Sequence, residues 1–297
     1  MTFSELWRKL TPEYDEHEAR AIVRMLLEDG FGMSFTDIIC GGLDRLSTGQ
    51  KTTIERSMRR LCQGEPVQYV IGKASFLDRS FIVTPDVLIP RPETEDLCDW
   101  IAKETKEPSA DILDIGTGSG CIGISLALDI PSSHVTAWDI SDKALLVADE
   151  NARQLGADIT TARRDALNPP SDVQQWDIIV SNPPYICDME RRDMERNVLE
   201  HEPHTALFVP DDNPLLFYSA ITRYARQALR PKGSLYFEIN PVYEKEMQQM
   251  LSMDGFTHIS IKKDRFGKAR FVKAESFSAY FPPDTSKHQR HEQNTQE

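Results

Sequence analysis

Asn182-Pro183-Pro184-Tyr185 directly follows the apolar run Ile178-Ile179-Val180-Ser181. These residue types can handle an amide or aromatic amine. Such a nitrogen is a poor nucleophile because its lone pair is delocalised, and it carries two N–H donors. A site that activates it needs two acceptors and no competing donor. Pro183 has no N–H but keeps its carbonyl oxygen. The side-chain oxygen of Asn182 is the second acceptor. Together they can hold an –NH₂ group with its lone pair facing an electrophile. Pro184 and Tyr185 would line the same pocket, with Tyr185 as a flat wall against a planar group. Asn-Pro and Pro-Pro also make ordinary turns, so the neighbourhood of the motif matters.

The second motif is Asp114-Ile115-Gly116-Thr117-Gly118-Ser119-Gly120, between an apolar strand pattern and an apolar helix pattern. Glycines there permit a tight turn and a close approach of ligand to backbone at a helix N-terminus. Asp139 follows at the end of the next strand, where a carboxylate can accept hydrogen bonds from ribose hydroxyls. Three readings fit: a packing turn, a dinucleotide site, or an S-adenosylmethionine site. Gly118 to Gly123 spells G-x-G-x-x-G, the dinucleotide pattern. The longer D-x-G-x-G-x-G run resembles the first motif of S-adenosylmethionine-dependent methyltransferases. The downstream Asn182 loop favours that third reading, because it supplies an acceptor site for the nitrogen to be methylated.

Both motifs need strands to aim them at one crevice. After about residue 110, strand patterns (Asp111–Ile115, Val135–Asp139, Ile159–Arg163, Trp176–Ser181, Ser234–Ile239) alternate with helix patterns, which predicts a mostly parallel α/β sheet. Phe256–Lys262 and Arg270–Ala274 predict an antiparallel edge hairpin. Asn213-Pro214 reads as a cap and first-turn proline for a helix running to Leu229. Upstream, Phe3, Leu6, Trp7 and Leu10, then Ala19, Ile22, Val23 and Leu26, have helical spacing, with Gly30 as the expected stop of the second helix. Ser47 and Gln50 suit a capping box. The expected organisation is a helical domain over 1–72, a hairpin linker over 73–92, a methyltransferase domain over 93–281 and a disordered tail over 282–297. Thr94 is expected to cap the helix after the linker.

Composition bounds the partners. The 297 residues carry a formal net charge of −13, which argues against binding driven by a nucleic-acid backbone. The five cysteines show no C-x-x-C spacing, so free thiols and no zinc site are expected. No run approaches the roughly 18 apolar residues of a membrane helix, and the N-terminus lacks a signal-peptide pattern. A cytoplasmic monomer without stable nucleic-acid or membrane binding is expected. His201 and His204 are spaced like metal ligands, but Pro203 between them breaks the helix, so they read as loop residues. The run from Glu190 to Arg196 reads as a solvated mixed-charge helix face.

With these residues in hand, the chain resembles the HemK family, the protein-(glutamine-N5) methyltransferases that act on peptide chain release factors. The resemblance runs from the helical start to about Ala274. It rests on Gly64 to Gly72, Pro90 to Glu95, the glycine turn, Asp139, Asn182 to Tyr185, and Glu202-Pro203 with Ala206-Leu207. It implies a helical domain joined to a Rossmann-like domain, S-adenosylmethionine as cofactor, and the glutamine of a release-factor Gly-Gly-Gln motif as substrate. It also implies cofactor contacts at Gly116, Thr117, Gly118, Ser119, Gly120, Asp139, Asp165, Ala166 and Asn182. Substrate contacts and the catalytic pair Asn182 and Pro183 come from the Asn182 loop. Two departures stand out. Ala166 occupies a position that is often aromatic, which leaves the adenine without that stacking partner. Glu238-Ile239-Asn240 stands where relatives often carry Glu-His-Gly. Arg91 and Glu93 read equally as pocket-edge residues or as a salt-bridged linker. The rivals are an amino-methyltransferase of adenine or guanine in nucleic acid, and a binding protein that has lost catalysis.

Overall fold

The computed structural model describes residues 1–106 and 109–276; the tail expected over 282–297 lies outside the described residues. The helical unit comprises α1 (Phe3–Trp7), α2 (Glu16–Phe31), α3 (Phe35–Ile39), α4 (Thr48–Leu61) and α5 (Val67–Ile71). Its own core gathers Leu6, Leu10, Ala19, Val23 and Leu26, whose spacing marked the first two helices, with Ile54, Met58 and Leu61 from α4. The Ser47–Gln50 capping box opens α4 as expected. Helix α2 continues past Gly30 and stops at Gly32. Gly32 takes the left-handed conformation (φ 66°) and its N–H closes on the Glu28 carbonyl, whereas Gly30 stays helical against Ile71.

Strands β1 (Lys73–Phe76) and β2 (Arg79–Ile82) form a hairpin, turned by Leu77 and Asp78 at positive φ. The hairpin is tied to the rest of the molecule by a buried amide. Asn151 Oδ1 accepts the Ile82 N–H at 2.6 Å, and Nδ2 donates to the carbonyls of Ile82 and Ser119, each at 2.9 Å. Ser119 belongs to the glycine turn, so one side chain joins linker and turn.

The remaining elements are α6 (Pro92–Glu104), β3 (Asp111–Ile115), α7 (Cys121–Asp129), β4 (His134–Asp139), α8 (Asp142–Leu155), β5 (Ile159–Arg163) and β6 (Trp176–Ser181). They are followed by β7 (Ile186–Cys187), α9 (Arg196–His201), β8 (Phe208–Val209), α10 (Leu216–Ala228), β9 (Leu229–Glu238), α11 (Glu244–Met253), β10 (Thr257–Lys263) and β11 (Ala269–Glu275). The seven-stranded sheet has the order β10-β11-β9-β6-β3-β4-β5. Strands β9, β6, β3, β4 and β5 run parallel, while β11 and β10 form the antiparallel edge. Both sheet faces are covered. One packs Tyr218, Ile221, Tyr224 and Met247 from α10 and α11, and the other packs Leu97, Ile101, Ile122 and Ile124 from α6 and α7. This is the mostly parallel α/β sheet that the alternation predicted, in the Rossmann-like arrangement that the resemblance implied.

Two further local expectations fail. Helix α10 starts at Leu216, not at Pro214, because Asn213 and Pro214 are used in a turn in which the Leu216 N–H meets the Asn213 carbonyl. Thr94 lies inside α6 rather than capping it; Arg91 holds the cap position and Pro92 the first turn. No helix among the described residues is long and apolar enough to cross a membrane.

Asn151→Asp is expected to lower stability at pH 7 by roughly 2–4 kcal/mol, since it deletes both donors and buries a charge. The substituted carboxyl regains one donor when protonated, so the loss in melting temperature should be smaller at pH 5 than at pH 7. Thermal unfolding at the two pH values checks this.

Candidate active site

Sheet register brings the predicted residues together. Ile115 on β3 is paired with Ser181 on β6 and with Trp138 on β4, and Ser181 is paired with Phe237 on β9. The next residues along the four strands are therefore Gly116, Asn182, Asp139 and Glu238. All stand at the carboxyl ends of adjacent parallel strands, where the chain switches direction across the sheet and ligands bind. Ser181 Oγ donates to the Ile115 carbonyl at 2.7 Å and ties the roots of the two loops.

The glycine turn is not a phosphate cradle. The amides of Gly116 and Thr117 both donate to the Trp138 carbonyl, and Gly120 N–H donates to the Thr117 carbonyl. Gly118 N–H donates to Asp139 Oδ2 at 2.9 Å. A pyrophosphate would need those amides, and it would meet a carboxylate instead. The dinucleotide reading of G-x-G-x-x-G loses its physical basis here. The glycines divide by role. A Cβ on Gly116 (φ 76°) or Gly118 (φ 54°) would enter open space, whereas one on Gly120 would strike Ile124 Cδ1 at 2.7 Å and Ala148 Cβ at 3.2 Å. Gly116 and Gly118 keep room for a ligand; Gly120 lets α7 and α8 pack.

The charge around the turn is negative. Asp114 is buried, and burial pushes its carboxyl up to about 6, although hydrogen bonds from Thr117 and Gly123 hold it down. Its Oδ1 is a buried acceptor with no partner among the described residues. Asp139 takes N–H bonds from Gly118 and Ser141 and keeps a second lone pair on each oxygen. The sulfonium and ammonium of S-adenosylmethionine are cations, and the open side of the turn together with these carboxylates fits them.

The Asn182 loop presents acceptors. Asn182 Nδ2 donates to Thr94 Oγ1 at 3.4 Å, and among the described residues no donor reaches Asn182 Oδ1 or the Pro183 carbonyl. Tyr185 is turned inward, its hydroxyl donating to Glu238 Oε1 at 3.1 Å. Glu238 Oε2 takes the Thr94 hydroxyl at 2.6 Å. Burial raises the Glu238 carboxyl, opposed by these two hydrogen bonds and by the nearby Arg270 guanidinium. Glu238 therefore supports the loop from beneath, which places it behind the acceptors.

Other sequence candidates lie as follows. Asp165 and Ala166 follow β5 at the same sheet edge. The Asp165 carboxylate accepts from Leu167 N–H and Asn168 Nδ2, and Ala166 packs on the core. Ile140, which no sequence motif marks, is 55% exposed immediately after Asp139. An apolar side chain left in the open beside the Asp139 carboxylate is a surface on which a flat ring can pack. Its signal was a lone branched apolar residue between Asp139 and the Ser141 cap of α8. Arg91 is held by Glu202 (Nη2 to Oε1 2.6 Å), which also accepts the Ile89 N–H at 3.3 Å. The salt-bridged reading of this linker residue is the one realised. Glu202 is 4% exposed, so the linker is fastened to the chain beyond the Asn182 loop. The Glu190 run is not a solvated face throughout: it begins as a 3-10 helix (Asp188–Asp193), and Glu190 accepts from Cys187 N–H and Asn240 Nδ2. His201 ends α9 and His204 starts a 3-10 turn, each ring nitrogen against a backbone carbonyl.

Fold and site together define a Rossmann-like S-adenosylmethionine-dependent methyltransferase. Residues 6–72 match the family model "PrmC N-terminal domain" and residues 96–205 match "Methyltransferase small domain". The release factor glutamine methyltransferase of Bacteroides thetaiotaomicron is 44% identical over 262 residues, covering 88% of this chain and 94% of that one. That of Flavobacterium psychrophilum is 42% identical over 264 residues, covering 88% and 93%. The hMettl16 catalytic domain shares the fold, with a TM-score of 0.53 at 16% identity over 67% of this chain and 76% of that one. The chain belongs to the release factor glutamine methyltransferase family.

The two glycine roles are separable. Gly118→Ala should weaken S-adenosylmethionine binding by roughly tenfold or more while costing roughly 1–2 kcal/mol for a side chain at positive φ. Gly120→Ala should lose more stability, roughly 1–3 kcal/mol from overpacking added to the same strain. Calorimetric titration and thermal melts of both variants check the contrast.

Proposed function

We propose that the chain transfers a methyl group from S-adenosylmethionine to the side-chain amide nitrogen (N5) of the glutamine in the Gly-Gly-Gln motif of peptide chain release factors. The observation that carries this reading is a pair of acceptors that no donor reaches among the described residues, Asn182 Oδ1 and the Pro183 carbonyl, beside a glycine turn that is open to a cationic ligand. Membership of a family whose curated relatives are named release factor glutamine methyltransferases supports the choice of substrate.

In this reading Gly116, Thr117, Gly118, Ser119 and Gly120 shape the cofactor side of the crevice. Asp139 and Asp165 offer carboxylate oxygens, and Ala166 and Ile140 border the adenine. Bound there, S-adenosylmethionine supplies a methyl group on a positively charged sulfur that leaves as a neutral thioether, so the chemistry calls for no metal. Asn182 Oδ1 and the Pro183 carbonyl each accept one N–H of the glutamine amide. This aims the nitrogen lone pair into the crevice and leaves no donor to compete for it. The same two oxygens stabilise the positive charge that grows on nitrogen as it is alkylated. Positioning of this kind contributes roughly 7–11 kcal/mol in the best intramolecular analogues. The extra proton leaves late, to water. Pro184 and Tyr185 wall the amide, with the Tyr185 ring held by its bond to Glu238.

The helical unit over residues 1–72 serves as a second contact for the folded release factor. It leaves Phe35 and Ile39 exposed, and it touches the segment after the Asn182 loop through Glu13–Arg196. A second contact of this kind would let one glutamine loop be presented deep in the crevice. The protein would act in the cytoplasm, where translation termination takes place.

The test is methyl transfer from labelled S-adenosylmethionine to a release factor, beside its Gly-Gly-Ala variant and DNA and RNA controls. Label on the intact factor alone is expected. Label on nucleic acid would move the assignment to a base-amine methyltransferase, and label on none of them would point to a non-catalytic role.

A further inference from the structure

We propose that Thr94 and Glu238 form a polarity relay that sets which end of the Asn182 side-chain amide faces the substrate; this rests on the reading of Asn182 as an amide-holding acceptor. The three residues come from distant parts of the chain, the first turn of α6, the end of β9 and the loop after β6, and meet beneath the crevice. Thr94 and Glu238 are each only 2% exposed. The Thr94 hydroxyl donates its single hydrogen to Glu238 Oε2 at 2.6 Å. The other carboxylate oxygen is occupied by the Tyr185 hydroxyl. With its single hydrogen committed, Thr94 Oγ1 can only accept from Asn182. Nδ2 therefore faces Thr94, at 3.4 Å, and Oδ1 is left toward the crevice.

A flipped amide would set Asn182 Oδ1 against a hydroxyl lone pair and turn two N–H donors toward the two N–H donors of the substrate. Both contacts are repulsive. The relay thus starts at a buried carboxyl whose two oxygens both accept hydroxyl hydrogens, and runs outward through one hydroxyl to the side chain that meets the substrate. Thr94 and Glu238 are positioning residues and need not touch the substrate. The arrangement also accounts for the hydroxyl at Thr94, in a position where the helix cap has no use for it.

The test is a double-mutant cycle on methylation of the intact release factor. Thr94→Val removes the relay with little change of shape and should lower kcat roughly ten- to a hundredfold, below the loss usual for deleting a transition-state hydrogen bond outright. The Kd for S-adenosylmethionine and KM for the factor should stay within about threefold. Thr94→Ser keeps the hydroxyl and should restore kcat to within about threefold of the parent. In an Asn182→Ala background Thr94→Val should cost nothing further, because the relay acts only through Asn182. If Thr94→Val does not fold, Thr94→Ala carries the cycle. A full loss repeated in the Asn182→Ala background, no rescue by serine, or an unchanged kcat in Thr94→Val would each overturn the relay. If Asn182→Ala itself leaves kcat intact, the reading of the acceptor site fails first and the relay falls with it.

Discussion

An unsubstituted amide nitrogen can be methylated only where every group that touches its two hydrogens is an acceptor, and the rest of this structure depends on meeting that constraint. Proline at 183 removes a backbone donor and leaves a carbonyl. Asparagine at 182 could present either end, so its polarity has to be imposed. The carboxyl ends of β9, β6, β3 and β4 stand side by side in register, which puts Glu238, Asn182, the glycine turn and Asp139 in one row. The Asn182 loop and the glycine turn are thus positioned by the same sheet, with Ser181 and Asn151 bonding the loops to one another and to the linker hairpin.

Charge follows the same logic. Taking carboxylates out of water is costly, and the cost shows as the raised carboxyls of Asp114 and Glu238. Both keep hydrogen-bond donors that offset part of it, Thr117 and Gly123 for the first, Thr94 and Tyr185 for the second. What the fold gains is a crevice lined by carboxylates and acceptor oxygens, matched to a cationic methyl donor and to the two N–H donors of an amide nitrogen. A phosphate ligand would find the amides of the turn already committed to Trp138 and Asp139.

Much of this was legible in the sequence because it depends on local rules. The alternation of strand and helix patterns located the parallel strands to within a residue or two for β3 to β6, and the Ser47 capping box formed as read. The glycine run and the Asn182 loop were legible because few other residue types satisfy those backbone and donor constraints. What escaped was nonlocal. Thr94 has the composition of a cap and sits near a helix start, yet its partner is 144 positions away. Glu190 sits in a charged run that looks solvated, but long-range bonds to Asn240 draw it inward. Ile140 is one apolar residue without periodicity, and only its exposure beside Asp139 gives it meaning. Such pairings depend on sheet register, which local patterns do not encode.

The most direct measurement is the single-turnover methylation rate of Asn182→Ala beside its S-adenosylmethionine affinity. An orienting acceptor predicts a rate lowered by roughly two to three orders of magnitude, as for removal of other groups that stabilise charge in the transition state, with the cofactor Kd within about twofold of the parent. Equal losses in rate and in cofactor affinity would contradict the account, since Asn182 would then be a cofactor ligand rather than the residue that holds the amide.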